Sequence, residues 1–220
     1  MEKSYKHLGY FFMIMIPLIF AAFFKTYIVK FPNFGANYDN FIHVHAFFAS
    51  LWVLTLIVQP FLIINKKMAW HRLVGKASYI IFPLLILSFI PGIIKLYNAG
   101  EYIYIFFPAA DCVVLTILYS LAIYHKKKAA KHMRFMIAAS LPLLGPTIGR
   151  ILPIWFGMGE VGTQTIQYII TFGILLSLIL YDWKNRRNYK PYIVATYLFA
   201  IHAVVFYLLF LNIWKMYLGK

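Results

Sequence analysis

Acidic side chains are scarce in this chain, with six Asp and Glu against 21 Lys and Arg in 220 residues, and charged residues of every kind make up only 12% of it. Soluble domains carry about a quarter of their residues as charges and about half as apolar residues. Here 63% are apolar and 20% aromatic, which excludes a water-soluble fold. Cysteine is nearly absent too. With Cys112 alone, neither an intrachain disulfide nor a thiolate cluster for zinc or iron and sulfur can form. There is no internal repeat, no low-complexity segment and no polar stretch long enough for a soluble domain. Any chemistry therefore belongs inside, or at the ends of, helices embedded in lipid.

What is present is a series of seven apolar segments of spanning length, approximately 7–29, 40–64, 70–96, 102–124, 131–156, 163–183 and 192–217. They predict an all-α polytopic membrane protein, a bundle of seven transmembrane helices forming one domain over 1–220. The first segment has the basic start of a signal peptide but lacks a convincing small-residue cleavage site, so it reads as a retained helix. The fifth, with Pro142, Pro146, Pro153, Gly145 and Gly149, is expected to be kinked or partly broken.

The formal charge of +15 would suggest a nucleic-acid partner if the cations shared one soluble face. They lie instead in alternate loops, fifteen on one side against five on the other, with Arg150 the one cation within a span. That positive-inside bias predicts an N-terminus in the cytoplasm and a C-terminus outside, and the expected location is a bacterial cytoplasmic membrane. The lipid bilayer accounts for the charge, and no nucleic acid is implied.

Histidines supply most of the candidate chemistry. His43 and His71 are separated by about 42 Å if helical, close to the thickness of a bilayer with its headgroups, so they belong to opposite faces. On the second helix His45, Trp52 and Gln59 recur every seven residues on one face, and His43 points the other way. His132, Met136, Leu143, Thr147 and Arg150 fall on one stripe of the fifth helix, and Gln164, Thr171 and Asp182 on one face of the sixth. Charges within hydrocarbon cost several kcal/mol, so Asp111 and Arg150 are expected to face the interior and find partners. His45, Asp111, Arg150 and His202 are thus the candidates for one polar chamber.

Three chemistries fit. Haem b could be ligated by His71 with His132 at the inner side, or by His45 with His202 at the outer side, for electron transfer across the bilayer. A single transition metal, zinc, iron or copper, could be held by His45, His202 and Asp111, the composition of a membrane hydrolase or oxygenase site. A polar pathway for a proton, ion or small solute could use Asp111 and Arg150 as its gate, as in a transporter or assembly factor. Bland alternatives stand beside these. His71 and His132 also fit a basic interfacial belt, His43 a headgroup contact, Asp111 with Arg150 a structural pair, and Met133 and Met136 gap-filling core.

The blocks from His45 through Trp52 to Gln59, HRLVGK from His71, and HMRFMIAASL from His132 through to Arg150 resemble a widespread bacterial family of uncharacterised multi-helix membrane proteins. More loosely, a histidine opening one helix and the pattern His71-x-x-x-Gly75 opening the next resemble the cytochrome b561 type of membrane electron carrier. That resemblance implies haem b held between two histidines and electron exchange with quinone or ascorbate. It departs from that type in having seven spans and in histidines that do not form two clean pairs.

Overall fold

The computed structural model describes residue 5 and residues 7–35 and 39–218. Lys3, Lys6 and Lys220, which count toward the charge asymmetry, and loop residues 36–38 lie outside the described residues. The described chain is all-helical, with no strand. Six helical stretches are long and apolar enough to cross a membrane, and Leu8–Phe24 adds a shorter apolar run. Helices of this kind can hide every backbone polar group in lipid, and their outward faces carry apolar side chains such as Ile80, Val113, Ile169 and Ile201. The protein is a multi-pass membrane protein. Its contacts divide it into two compact units, Met1–Ile105 and Phe106–Lys220.

In the first unit, the expected first helix is in two pieces, α1 (Leu8–Met13) and α2 (Met15–Phe24). Pro17 has no N–H for the Met13 carbonyl, and the ladder interrupts beside that residue. Gly9 lets α1 lie against α3 (Asn40–Ile64), since a Cβ there would come within 2.9 Å of the Phe61 ring. Asp39 caps α3 by accepting from the Ile42 N–H at 3.1 Å. The third expected helix also divides, into α4 (Met68–Leu87) and α5 (Ile90–Asn98), with Pro91 at the second position of α5. A proline there withholds the hydrogen bond that would have continued α4. The α3 to α4 packing is built on Trp52, fully buried, with its ring 5.2 Å from Phe82.

The second unit holds α6 (Phe106–Tyr124), α7 (Ala129–Ala138), α8 (Leu144–Phe156), α9 (Glu160–Lys184) and α10 (Lys190–Leu218). The fifth expected span is broken as its prolines require. A tight 3-10 turn at Leu141–Leu143 joins α7 to α8, with Pro142 inside it. Ala122, Ala138 and Ala195 are fully buried where α6, α7 and α10 meet, and small residues at such contacts let backbones approach closely without a water-driven hydrophobic effect.

Four helix ends share one chemistry. Lys66, Gly100, Gly157 and Arg186 each adopt a left-handed conformation just past a helix. The amide of that residue and the next one reach back to carbonyls, as in Arg186 N to Trp183 O and Arg187 N to Asp182 O. Glycine fills two of these positions at no steric cost. Lys66 and Arg186 accept the strain where a cation also meets the negative end of the helix dipole.

Candidate functional site

The buried face of α9 is the most polar surface in the interior. Thr163, Gln164, Gln167, Tyr168, Thr171, Leu175 and Asp182 are all buried, a stripe at three- and four-residue spacing that reverses the usual amphipathic pattern. Ile169, Leu176 and Leu180 face outward. In lipid this is the arrangement that lowers cost, because polar side chains are directed at protein and apolar ones at acyl chains.

Around Tyr168 the polar groups form a chain. The Tyr168 hydroxyl lies 2.8 Å from His202 Nδ1, and His202 Nε2 lies 3.5 Å from Asp111 Oδ1. His202 on α10 is 5% exposed, and the Asp111 side chain on α6 is 18% exposed. The rings of Phe106 and Tyr168 flank the imidazole, at centroid distances of 4.8 and 5.7 Å, and Phe206 packs 5.9 Å from Tyr168. These apolar walls lower the local dielectric and strengthen every charge interaction inside them. A carboxylate, an imidazole and a phenol in line make a path along which one proton can be shared. The gap between Asp111 and His202 is longer than a strong charge-assisted hydrogen bond, so the pair sits at contact distance with room to tighten.

Gly145 on α8 completes this corner. A Cβ at Gly145 would sit 2.8 Å from Asp111 Oδ2 and 3.3 Å from Gln167 Nε2. Only glycine lets the carboxylate and the amide approach the backbone there. The broken α7 to α8 connection carries Gly145 to this spot, so the proline cluster has a positional consequence.

Sequence-derived candidates are distributed as follows. Asp111 and His202 come together. Arg150, expected to partner Asp111, donates from Nη1 to the Pro146 carbonyl of its own helix at 3.0 Å. The stripe extrapolated from His132 to Arg150 runs across the 3-10 turn, which breaks the 100° step on which it relied. In the first unit, His45 Nδ1 lies 2.9 Å from Ser88 Oγ, whose own proton goes to the Leu85 carbonyl. The imidazole is therefore the donor in that bond. His43 faces the other way, as its helical angle required, and meets the Tyr27 hydroxyl at 2.7 Å. The His71 backbone carbonyl accepts from Gln59 Nε2 at 3.2 Å. In the second unit, His132 Nδ1 donates to the Ala122 carbonyl at 2.8 Å.

Among the described residues, no group of three His, Cys, Asp or Glu side chains is placed to hold a metal ion. Of the set His45, His202 and Asp111, the structure brings together the pair Asp111 and His202.

Sequence reasoning missed Tyr168, Gln167, Gly145 and one ion pair. Arg134 Nε and Nη2 donate to Asp182 Oδ2 and Oδ1 at 2.6 and 3.0 Å, with both side chains wholly buried. By sequence Arg134 is one of the fifteen cations on the basic side. Extending the polar period of α9 from Gln164 to Thr163, Gln167 and Tyr168 would have found the rest of the stripe, whereas nothing local marks Arg134 as buried. No protein-family model matches the chain, and no curated protein or solved structure does either.

Proposed function

We propose that this membrane protein handles protons, moving one through the second unit in step with a small polar solute or ion. The observation that carries this reading is the line of Asp111, His202 and Tyr168 from α6 through α10 to α9. A lone charge in hydrocarbon costs several kcal/mol, but a carboxyl and an imidazole sharing one proton stay neutral as a pair wherever the proton sits. Gaining or losing that proton changes the charge of the site and so couples it to whatever else is bound. Tyr168 supplies a third exchangeable proton on the far side of the imidazole.

In proteoliposomes enclosing a pH-sensitive dye, with the potential clamped by a potassium ionophore, the parent protein should carry proton flux. Asp111→Asn and His202→Gln should fall to the level of empty liposomes, and Tyr168→Phe should keep the ring but lose most of the flux. Undiminished flux in Asp111→Asn would reject the reading.

A second reading, redox chemistry with haem b or a single zinc, iron or copper ion and a quinone-like partner, is favoured by the imidazoles of His132 and His45. Each has Nδ1 committed as a donor, to the Ala122 carbonyl and to Ser88 Oγ, which fixes the orientation of the ring. Metal-bound histidines commonly have this anchored geometry. It requires a coloured or metal-containing purified protein that loses its chromophore or metal in His132→Ala or His45→Ala. A colourless, metal-free preparation would remove it.

A further inference from the structure

The stripe on α9 carries more polar groups than the relay uses. Gln167 and Thr171 are 2% and 0% exposed, and Thr163 is 4% exposed. Gln167 Oε1, Thr171 Oγ1 and Thr163 Oγ1 have no hydrogen-bond partner among the described residues. A buried polar atom left unpaired costs about 1–3 kcal/mol, and native structures leave few of them. Three along one side of a helix call for a common occupant.

Their spacing identifies it. Thr163, Gln167 and Thr171 follow one another at intervals of four residues, or about 6 Å of rise per step. The successive 40° offsets keep them on one side of the helix. Asp111 joins the middle step, because its carboxylate and the Gln167 amide both border the point where Gly145 lacks a Cβ. Water is the ligand that suits hydroxyls, an amide and a carboxylate spread over about 12 Å, since each molecule needs two to four polar partners and accepts or donates as required. The first step lies at the exposed end of the helix. Glu160, Val161 and Gly162 are exposed there, beside an open cavity lined by Gly159, Glu160, Val161, Gly162 and Phe210.

We propose that α9 carries a water-filled seam, bound by Thr163, Gln167, Thr171 and Asp111, that connects the Glu160 end of the helix with the buried carboxylate. It gives the proton relay its route to bulk solvent, and it rests on the relay reading for that role alone, because the seam itself follows from the unpaired groups. Leu175, one turn beyond Thr171 and 0% exposed, closes the column with an apolar side chain.

Silver ion, small and water-borne, reports such a seam by displacing the proton of a hydrated thiol to form a silver thiolate. In a Cys112→Ala background, Thr163→Cys, Thr171→Cys and Leu175→Cys are treated with silver nitrate in chloride-free buffer, and free thiols are then counted with maleimide after unfolding. Size-exclusion profiles confirm the fold, and Gln167→Cys stands in where Thr171→Cys does not fold. The seam predicts that Thr163→Cys and Thr171→Cys react and Leu175→Cys is protected. Protection of Thr171→Cys, or reaction of Leu175→Cys at the same rate, overturns it. Protection accompanied by proton flux that still depends on Asp111 would remove the seam and leave the relay. Reaction without any such flux would do the reverse.

Discussion

Asp182→Asn is the substitution whose effect the structure determines most closely. It removes the charge from a carboxylate that receives two hydrogen bonds from Arg134, at 2.6 and 3.0 Å, with no exposed surface on either side chain. The asparagine keeps the volume and one acceptor oxygen. What it cannot keep is the countercharge, so a guanidinium that never loses its proton is left buried, with the Ala130 carbonyl still bound at 2.9 Å. Removing one member of a buried pair costs about 3–5 kcal/mol, and the retained acceptor points to the lower end, about 3 kcal/mol. For a chain of this size that corresponds to a fall in Tm of about 6–12 °C, measurable as loss of the monodisperse peak after heating in detergent. Replacing both partners, with Arg134→Met and Asp182→Leu, removes the unpaired charge, and the double variant should recover most of the loss. A single variant within about 1 kcal/mol of the parent, or a double variant as unstable as the single, would refute the reasoning.

Gly145→Ala should drive the Asp111 carboxylate out of place, because the added methyl would lie 2.8 Å from Oδ2. Proton flux should fall at least tenfold while the melting temperature changes by no more than about 1 kcal/mol equivalent, since alanine is the better helix former. Lys66→Gly should raise stability by about 1 kcal/mol by removing a left-handed lysine at the end of α3, checked by the same thermal assay. His125, just beyond the end of α6, should titrate below its ordinary 6.5, through lost hydration first and then the nearby Lys131 and Lys128 charges. Phe135 stacks on its ring. The unfolded chain then takes up this proton first, so stability is complete above pH 6.5 and declines as pH falls toward the folded value. Histidine NMR titration should show the shift shrinking when Lys128 and Lys131 become Gln.

Much of this architecture could be read from the residues alone, because lipid imposes strict rules on composition. Long apolar runs and alternating cationic loops mark the helices, and the proline cluster marks the break between α7 and α8. The face shared by Gln164, Thr171 and Asp182 is indeed the buried one, since helical angle within an unbroken helix is reliable. The same arithmetic does not carry from His132 to Arg150, because a 3-10 turn intervenes. Partner choice was the other limit. Helical angle indicates which way Asp111 points but not whether His202 or Arg150 meets it, and a cation such as Arg134 beside a basic loop looks identical whether it faces water or a buried carboxylate.

The proton shared along Asp111, His202 and Tyr168 is the claim on which the functional account depends, and infrared difference spectroscopy during a pH titration reads it directly. A carboxyl stretching band should appear and vanish with pH, be absent in Asp111→Asn, and shift in frequency and apparent midpoint in His202→Gln. A titration with no band that Asp111→Asn removes, or one that His202→Gln leaves unmoved, would contradict it.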